Sequence, residues 1–431
     1  MSVVRSALSV TNRILRPFFI IILLQISGLF TACNAEDIDN LSLPTPLPAS
    51  DRTELHLRTY DAFWTRLEPD YIFVGNTDFD WKLMPMQTRR QVSSGITDEE
   101  FDSLIDSFID LFPDSTIIYR NRSERIAADL KATLSYEGIG AYITVVNEPI
   151  PHIVLLSVIT SSPAEKAGLR AHDSIYSVDG KPVTKEEGIA VVDRVRGPAG
   201  SVVTLQVISP NSSERTVEVT RERLQATDML RYTYLPIAKA GLIRIPMGGN
   251  VNIMSDMLTS IETLIDQNGI ENLVIDMRVA HSNDDWPLES MLSLFTDGDM
   301  GTRYTRYNDY ALTVDAQDIS GSQTIPLVLL IGPDTQGASE IFAAALQDKG
   351  RATVIGQPTL GYVFDFDHFI LPDGGEVFFG NSSYVSPLGR DIGVLGVMPD
   401  VLVQSSWDQV SDEENFKYDP VVTRAKLEFT Q

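Results

Sequence analysis

The residues with chemical potential gather between Ile331 and His368. Thr335 and Ser339 are candidate nucleophiles and His368 a candidate general base, because a hydroxyl attacks a peptide bond only when a neighbour can take its proton. That pairing would give serine-type acyl transfer. The apolar spacing predicts a helix over Ala338 to Leu346 with Ser339 in its first turn and Thr335 on the preceding loop. Beyond it, strand alternation predicts Tyr362, Phe364, Phe366 and His368 on one face, which would let the imidazole approach the same cleft. Lysine, the other common base for a hydroxyl, does not occur between Lys349 and Lys417.

Other chemistries have less in their favour. The five histidines, His56, His152, His172, His281 and His368, include no pair at i and i+4, so no metal site is expected. His281 with Asp284 and Asp285 reads as a polar loop rather than a ligand set. The single cysteine, Cys33, leaves no disulfide and no thiolate metal cluster. No nucleotide loop or internal repeat occurs, and no cofactor is implied. A formal net charge of −25 argues against nucleic acid as a partner, since phosphate binding requires clustered Lys and Arg.

A chain of 431 residues with 43% hydrophobic composition can bury several cores, so a multidomain protein is expected. Residues 1–33 have the layout of a secretory signal: Arg5, Arg13 and Arg16 precede an apolar run from Phe18 that continues to Phe30. Cys33 follows Phe30-Thr31-Ala32, a segment similar to a bacterial lipobox, and diacylglyceryl attachment there would anchor the mature protein to a membrane. Residues 34–50, with Pro44, Pro46 and Pro48, read as a stiff tether. From 51 to 134 the apolar spacing is helical. Tyr60, Phe63, Trp64 and Leu67 share a face, and Thr97 to Glu100 form a capping box before Phe101, Ile105 and Phe108. From 135 to 225 short β-branched runs take over, and from 226 to 405 strands and helices alternate as in a layered α/β core. Residues 406–431, acidic around Asp408 to Asn415, read as a solvated tail. The fold class is α+β multidomain.

Two stretches carry a family resemblance. Gly138-Ile139-Gly140-Ala141, then Ser162 to Leu169 and Val178-Asp179-Gly180, resemble the carboxylate-binding loop and following elements of a PDZ domain. In that module a glycine turn entering an edge strand offers backbone N–H groups to a free carboxyl terminus. The stretch IGPDTQGASEIFAAALQDKGRATVIGQPTLGY, Ile331 to Tyr362, resembles the active-site segment of the carboxyl-terminal-processing (tail-specific) serine proteases. The family's turn, strand and closing segments are matched at Leu371 to Gly374, Tyr384 to Pro387 and Gly396 to Asp400. By this resemblance the nucleophilic serine falls on Gly337, the general-base lysine on Tyr362 and the assisting glutamine on Phe366.

None of the three can do the family's chemistry. Glycine has no nucleophile, a phenol stays protonated at neutral pH, and phenylalanine has no hydrogen-bonding group. The family's oxyanion glycines fall on Ser282 and Asn283, after Asp276-Met277-Arg278. The resemblance therefore implies a degenerate, non-catalytic member that binds protein tails or unfolded segments in the cell envelope. An active peptidase rebuilt on Ser339 or Thr335 with His368, and a structural envelope lipoprotein, are the alternatives. Against the former, two residues along a helix rotate a side chain by about 200°, which turns Ser339 away from the direction of position 337.

Overall fold

The computed structural model describes residues 49–77, 79–113, 116–133, 137–224, 229–247, 252–281, 286–410 and 419–429. The signal segment, Cys33 and nearly all of the tether lie outside them, as do Ser282, Asn283, Asp284 and Asp285. Ala49 and Ser50, expected in the tether, open the first helix, Ala49–Asp70.

The N-terminal helices bury the stripe that their spacing predicts: Tyr60, Phe63 and Leu67 are at most 1% exposed. The helix Asp98–Ile109 begins on the Thr97/Glu100 capping box and buries Phe101, Ile105 and Phe108 in the same core. That core is not closed by residues 51–134 alone. The strand Ile117–Arg120 pairs antiparallel with Glu376–Gly380, which pairs with Phe366–Ile370, and Leu371, Val377 and Phe379 complete the aromatic cluster. This hairpin lies in the stretch assigned from the sequence to the α/β core. Pairing across such a separation leaves no local signature, which is why the boundary at residue 134 is incomplete.

The PDZ-like section folds around its own core, from Ile139 to Val219. Its sheet runs in spatial order from Ala141–Val146 through His152–Val158, Ser174–Val178 and Val202–Ile208 to Arg215–Thr220, so the strand that follows the glycine turn is an edge strand.

The α/β section is built on six strands in the order Arg231–Leu235, Ala240–Arg244, Asn272–Asp276, Leu327–Ile331, Thr353–Gly356 and Val401–Leu402. The first pair is antiparallel and the rest are parallel. Leu327–Ile331 is buried at every position, as a central parallel strand must be when both faces are covered. The helices Ile253–Glu262, Leu288–Ser293 and Ala338–Asp348 cover one face.

The other face corrects the reading of residues 406–431 as a solvated tail. Helix Pro420–Glu428 packs Val421, Val422 and Ala425 against Leu242, Val274, Val328, Leu330 and Ile355. Its cap, Asp419, is fully buried. The acidic composition of the preceding residues hid a three-residue apolar stripe too short to outweigh it. Among the described residues no helix is long and apolar enough to cross a membrane.

Candidate functional site

The buried strand Leu327–Ile331 delivers the chain to a loop that turns into helix Ala338–Asp348 at Gly337. Gly337 has φ 71° and ψ −133°, a region that only glycine enters without strain. Its N–H donates to the Tyr362 carbonyl at 3.0 Å and to Glu340 Oε2 at 3.2 Å. The second Glu340 oxygen accepts the Gly361 N–H at 2.7 Å, and the Thr359 hydroxyl and Tyr362 N–H also reach this carboxylate. One buried side chain thus ties positions 337 and 362 together.

Burial pushes the Glu340 carboxyl up to about 7, although the surrounding donors pull the other way. Because the folded value exceeds the unfolded one, Glu340 contributes most stability below about pH 4.5 and loses that contribution as pH rises through about 7. The loss should reach about 3 kcal/mol across this window. Denaturant melts of wild type and Glu340→Gln at pH 5 and pH 7.5 measure it: the wild type should gain more on acidification, and parallel shifts would refute the assignment.

The alternative nucleophiles are bound inward. Ser339 is fully buried, and its hydroxyl donates toward the Ala280 and Gln336 carbonyls at 2.8 and 2.7 Å. Thr335 Oγ1, also buried, donates to the Met277 carbonyl at 2.8 Å and accepts the Gly332 N–H. Both hydroxyls serve the turn between strand and helix.

The predicted shared face of Tyr362, Phe364, Phe366 and His368 is not formed, because the strand begins only at Phe366. The Gly337–Tyr362 bond and the packing of Phe364 edge-on to Phe73 hold the preceding residues in an irregular path. His368 stacks on Phe378 with its side chain 57% exposed, 4.0 Å from Glu376. His281 does lie beside the site, bridging Gln336, and burial lowers its basicity. Among the described residues no group of His, Cys, Asp and Glu is arranged to hold a metal.

The glycine turn of the PDZ-like section is buried at Gly138, Ile139, Gly140 and Ala141. The Ile139 and Gly140 carbonyls accept N–H groups from Ala164 and Ile159, which fixes the loop against the short helix Pro163–Lys166. A cavity of about 520 Å³ separates this section from the carboxyl ends of the core strands, with Thr144, Val146 and Leu156 on one wall and Pro333, Gln357 and Val403 on the other.

Trp407 bridges the two walls. Its indole N–H donates to the Leu155 carbonyl, its ring packs 4.2 Å from the His172 ring, and the Arg278 and Arg244 guanidinium groups lie 5.0 and 5.7 Å from the ring centroid. Burial keeps His172 neutral, with its pKa lowered to about 3. Arg278 is itself clamped between Asp276 and Asp419. Burial opposes the charge on Asp276, yet Arg278 and Arg244 outweigh it and hold the carboxyl below the usual carboxylate range.

Sequence reasoning missed Glu340, Asp419 and Trp407 as organising residues. Two had a signal: a Glu three residues after a helix cap, and an Asp-Pro pair that starts a helix. Trp407 had none.

Residues 239–403 match the model of peptidase family S41, and residues 154–209 match a PDZ domain. The chain belongs to peptidase family S41. It is similar to the carboxyl-terminal-processing protease of Picosynechococcus, with 33% identity over 291 residues that make up 64% of this chain and 66% of that one. It is also similar to carboxyl-terminal-processing peptidase 3, chloroplastic, of Arabidopsis thaliana, with 24% identity over 84% of this chain and 72% of that one. Among solved structures, a photosystem II D1 C-terminal processing protease superposes with a TM-score of 0.60 and 25% identity, covering 84% of this chain and 96% of that chain. This S41 chain therefore has the family's architecture: N-terminal helices, a PDZ domain and a protease-like α/β core.

Proposed function

We propose that this protein is a non-catalytic S41 member that captures the carboxyl termini of proteins, or unfolded segments, outside the cytoplasm. The observation that supports the reading is Gly337: it forms the strand-to-helix turn, Glu340 ties it to residue 362, and by the sequence resemblance it takes the place of the attacking serine without offering a side chain. Loss of a serine nucleophile alone costs about 10⁶ in kcat in a serine protease. Tyr362 in place of the base and Phe366 in place of the helper remove what could compensate.

Capture rests on the PDZ domain. A peptide would add to the edge strand Ala141–Val146 with its carboxylate at the Gly138–Ala141 turn. The adjoining cavity leaves room for the rest of the segment between the PDZ sheet and the core. The names of the relatives, which process carboxyl termini, favour the same ligand class. Residues 1–33 serve as a lipoprotein signal in this reading, with Cys33 lipidated and residues 34–50 spacing the folded part from the membrane. PDZ domain and core are assigned to residues 135–225 and 226–405, with the C-terminal helix added to the core.

The test is fluorescence anisotropy of a labelled apolar peptide with the purified protein, followed by mass analysis of the recovered peptide. The free-carboxylate form should bind at least about tenfold more tightly than the amidated form, a difference of about 1.4 kcal/mol, and should be recovered intact. Equal binding of the two forms would defeat the PDZ assignment. Cleavage blocked by a serine-reactive phosphonate would instead establish a rebuilt peptidase.

A further inference from the structure

The strand Phe366–Ile370 is the edge of its three-stranded sheet. Its ladder polarity follows from two bonds at its ends, Asn381 N–H to the Asp365 carbonyl and Leu371 N–H to the Gly375 carbonyl. With the observed register, the odd-numbered residues bond inward to Glu376–Gly380, and Phe366, His368 and Ile370 turn their N–H and C=O groups to the open edge. The contacts found there agree: the His368 N–H is held by its neighbour Asp367, and the Ile370 carbonyl accepts a long 3.4 Å bond from Arg66.

The side chains on the outward face of this strand are unusually apolar for an edge. Phe366 and Ile370 are 44% and 43% exposed. In the adjoining strands Phe378 and Ile118 continue the same face, since Ile118, Phe378 and His368 lie in one cross-strand row. Of the devices that protect an edge from pairing, the strand has no lysine, proline or bulge, and its one carboxylate is Asp367.

We propose that two copies of this chain associate by antiparallel pairing of Phe366–Ile370 with itself, making one six-stranded sheet across a two-fold axis at His368. The choice of occupant rests on self-complementarity. Centred on His368, the pairing sets Phe366 opposite Ile370 of the second copy, and the reverse, so the two exposed apolar side chains cover each other twice. All three outward-facing residues then meet as hydrogen-bonded pairs. On the opposite face, Asp367 of the second copy comes opposite Phe369, whose ring lies 5.6 Å from the exposed Arg66 guanidinium. That carboxylate gives Arg66 a partner better than the long bond it now makes, again twice per dimer. Any shift of register by two residues loses both the apolar and the ionic match. The net charge of −25 per copy opposes association, so the dimer is expected at physiological ionic strength and should weaken at low salt.

The register can be read by crosslinking in the full chain carrying Cys33→Ser, where the introduced thiol is the only one. His368→Cys should form a disulfide dimer under mild oxidation at least tenfold faster than Asp367→Cys, because directly opposed residues stand about 5.5 Å apart, within disulfide reach, and the diagonal pair does not. In sedimentation equilibrium, Ile370→Lys should raise the dissociation constant at least about tenfold. Arg66→Glu should weaken the dimer in the same direction, and adding Asp367→Arg should restore it. These side chains are exposed, and unchanged circular dichroism will show that each variant folds. A wild-type monomer at 100 μM, equal crosslinking at 368 and 367, or failure of the charge swap to restore association would overturn the proposal; capture of a different polypeptide by this edge would show itself as the first of these.

Discussion

Asp419→Ala is expected to cost the folded chain about 3–5 kcal/mol, the range found when one member of a buried ion pair is removed. The Asp419 carboxylate is fully buried and bidentate on Arg278, at 3.2 and 2.7 Å. The same carboxylate caps helix Pro420–Glu428 through the Val421 and Val422 N–H groups. Its loss leaves two guanidinium groups, Arg278 and Arg244, facing one carboxylate, Asp276, in a site with little water to screen the excess charge. Asp419→Asn keeps an oxygen for the cap but not the charge and should fall between. Denaturant titration measures both, and hydrogen exchange should show residues 420–428 opening first. A loss under about 1 kcal/mol for the alanine variant would mean that the pair does not hold the C-terminal helix.

The second large effect is at Gly356, where alanine should prevent folding at 37 °C. Gly356 has φ +134°, and a Cβ there would lie 2.1 Å from the Ile331 carbonyl oxygen of the neighbouring parallel strand. Both residues are buried at the carboxyl ends of interior strands, where the close approach leaves no room for a side chain, so the cost should exceed about 4 kcal/mol. Gly350→Ala is the matched control. Its φ is +63°, but open space surrounds it, so only about 1 kcal/mol of backbone strain is expected. Soluble yield and thermal melting of the two variants decide the matter, and a well-folded Gly356→Ala would refute this steric requirement for glycine.

The segment from Ile331 to Tyr362 is held together by its glycines, Thr359 and Glu340. Gly356 is needed for the strand to pass Ile331. Thr359 accepts the Val397 N–H at 2.8 Å and joins Gly361 in satisfying Glu340. These residues build the scaffold, and that role does not depend on which side chains stand at 337, 362 and 366.

The legible parts of the chain were those whose structure follows from neighbours in sequence. The helix at Ala338, the capping box at Thr97 and the buried strand before Gly332 are set by residues within one or two turns of each other. The PDZ core is local in the same sense, since one continuous stretch of chain closes it. The strand face from Tyr362 to His368 failed because alternation presumes a strand. At Tyr362 a carbonyl is taken by Gly337 instead of a ladder partner.

By itself the sequence determined the three kinds of module and the family they resemble, and it raised the expectation that Gly337, Tyr362 and Phe366 stand where that family reacts, because residue identity and short-range periodicity are properties of the chain alone. Only the tertiary structure decided that Glu340 joins positions 337 and 362, that an acidic-looking C-terminus supplies a buried cap to Arg278, and that Phe366 and Ile370 stand on an open edge. Each of those depends on which distant groups share a low-dielectric interior or a sheet register, and burial and pairing of that kind exist only once the chain has closed on itself.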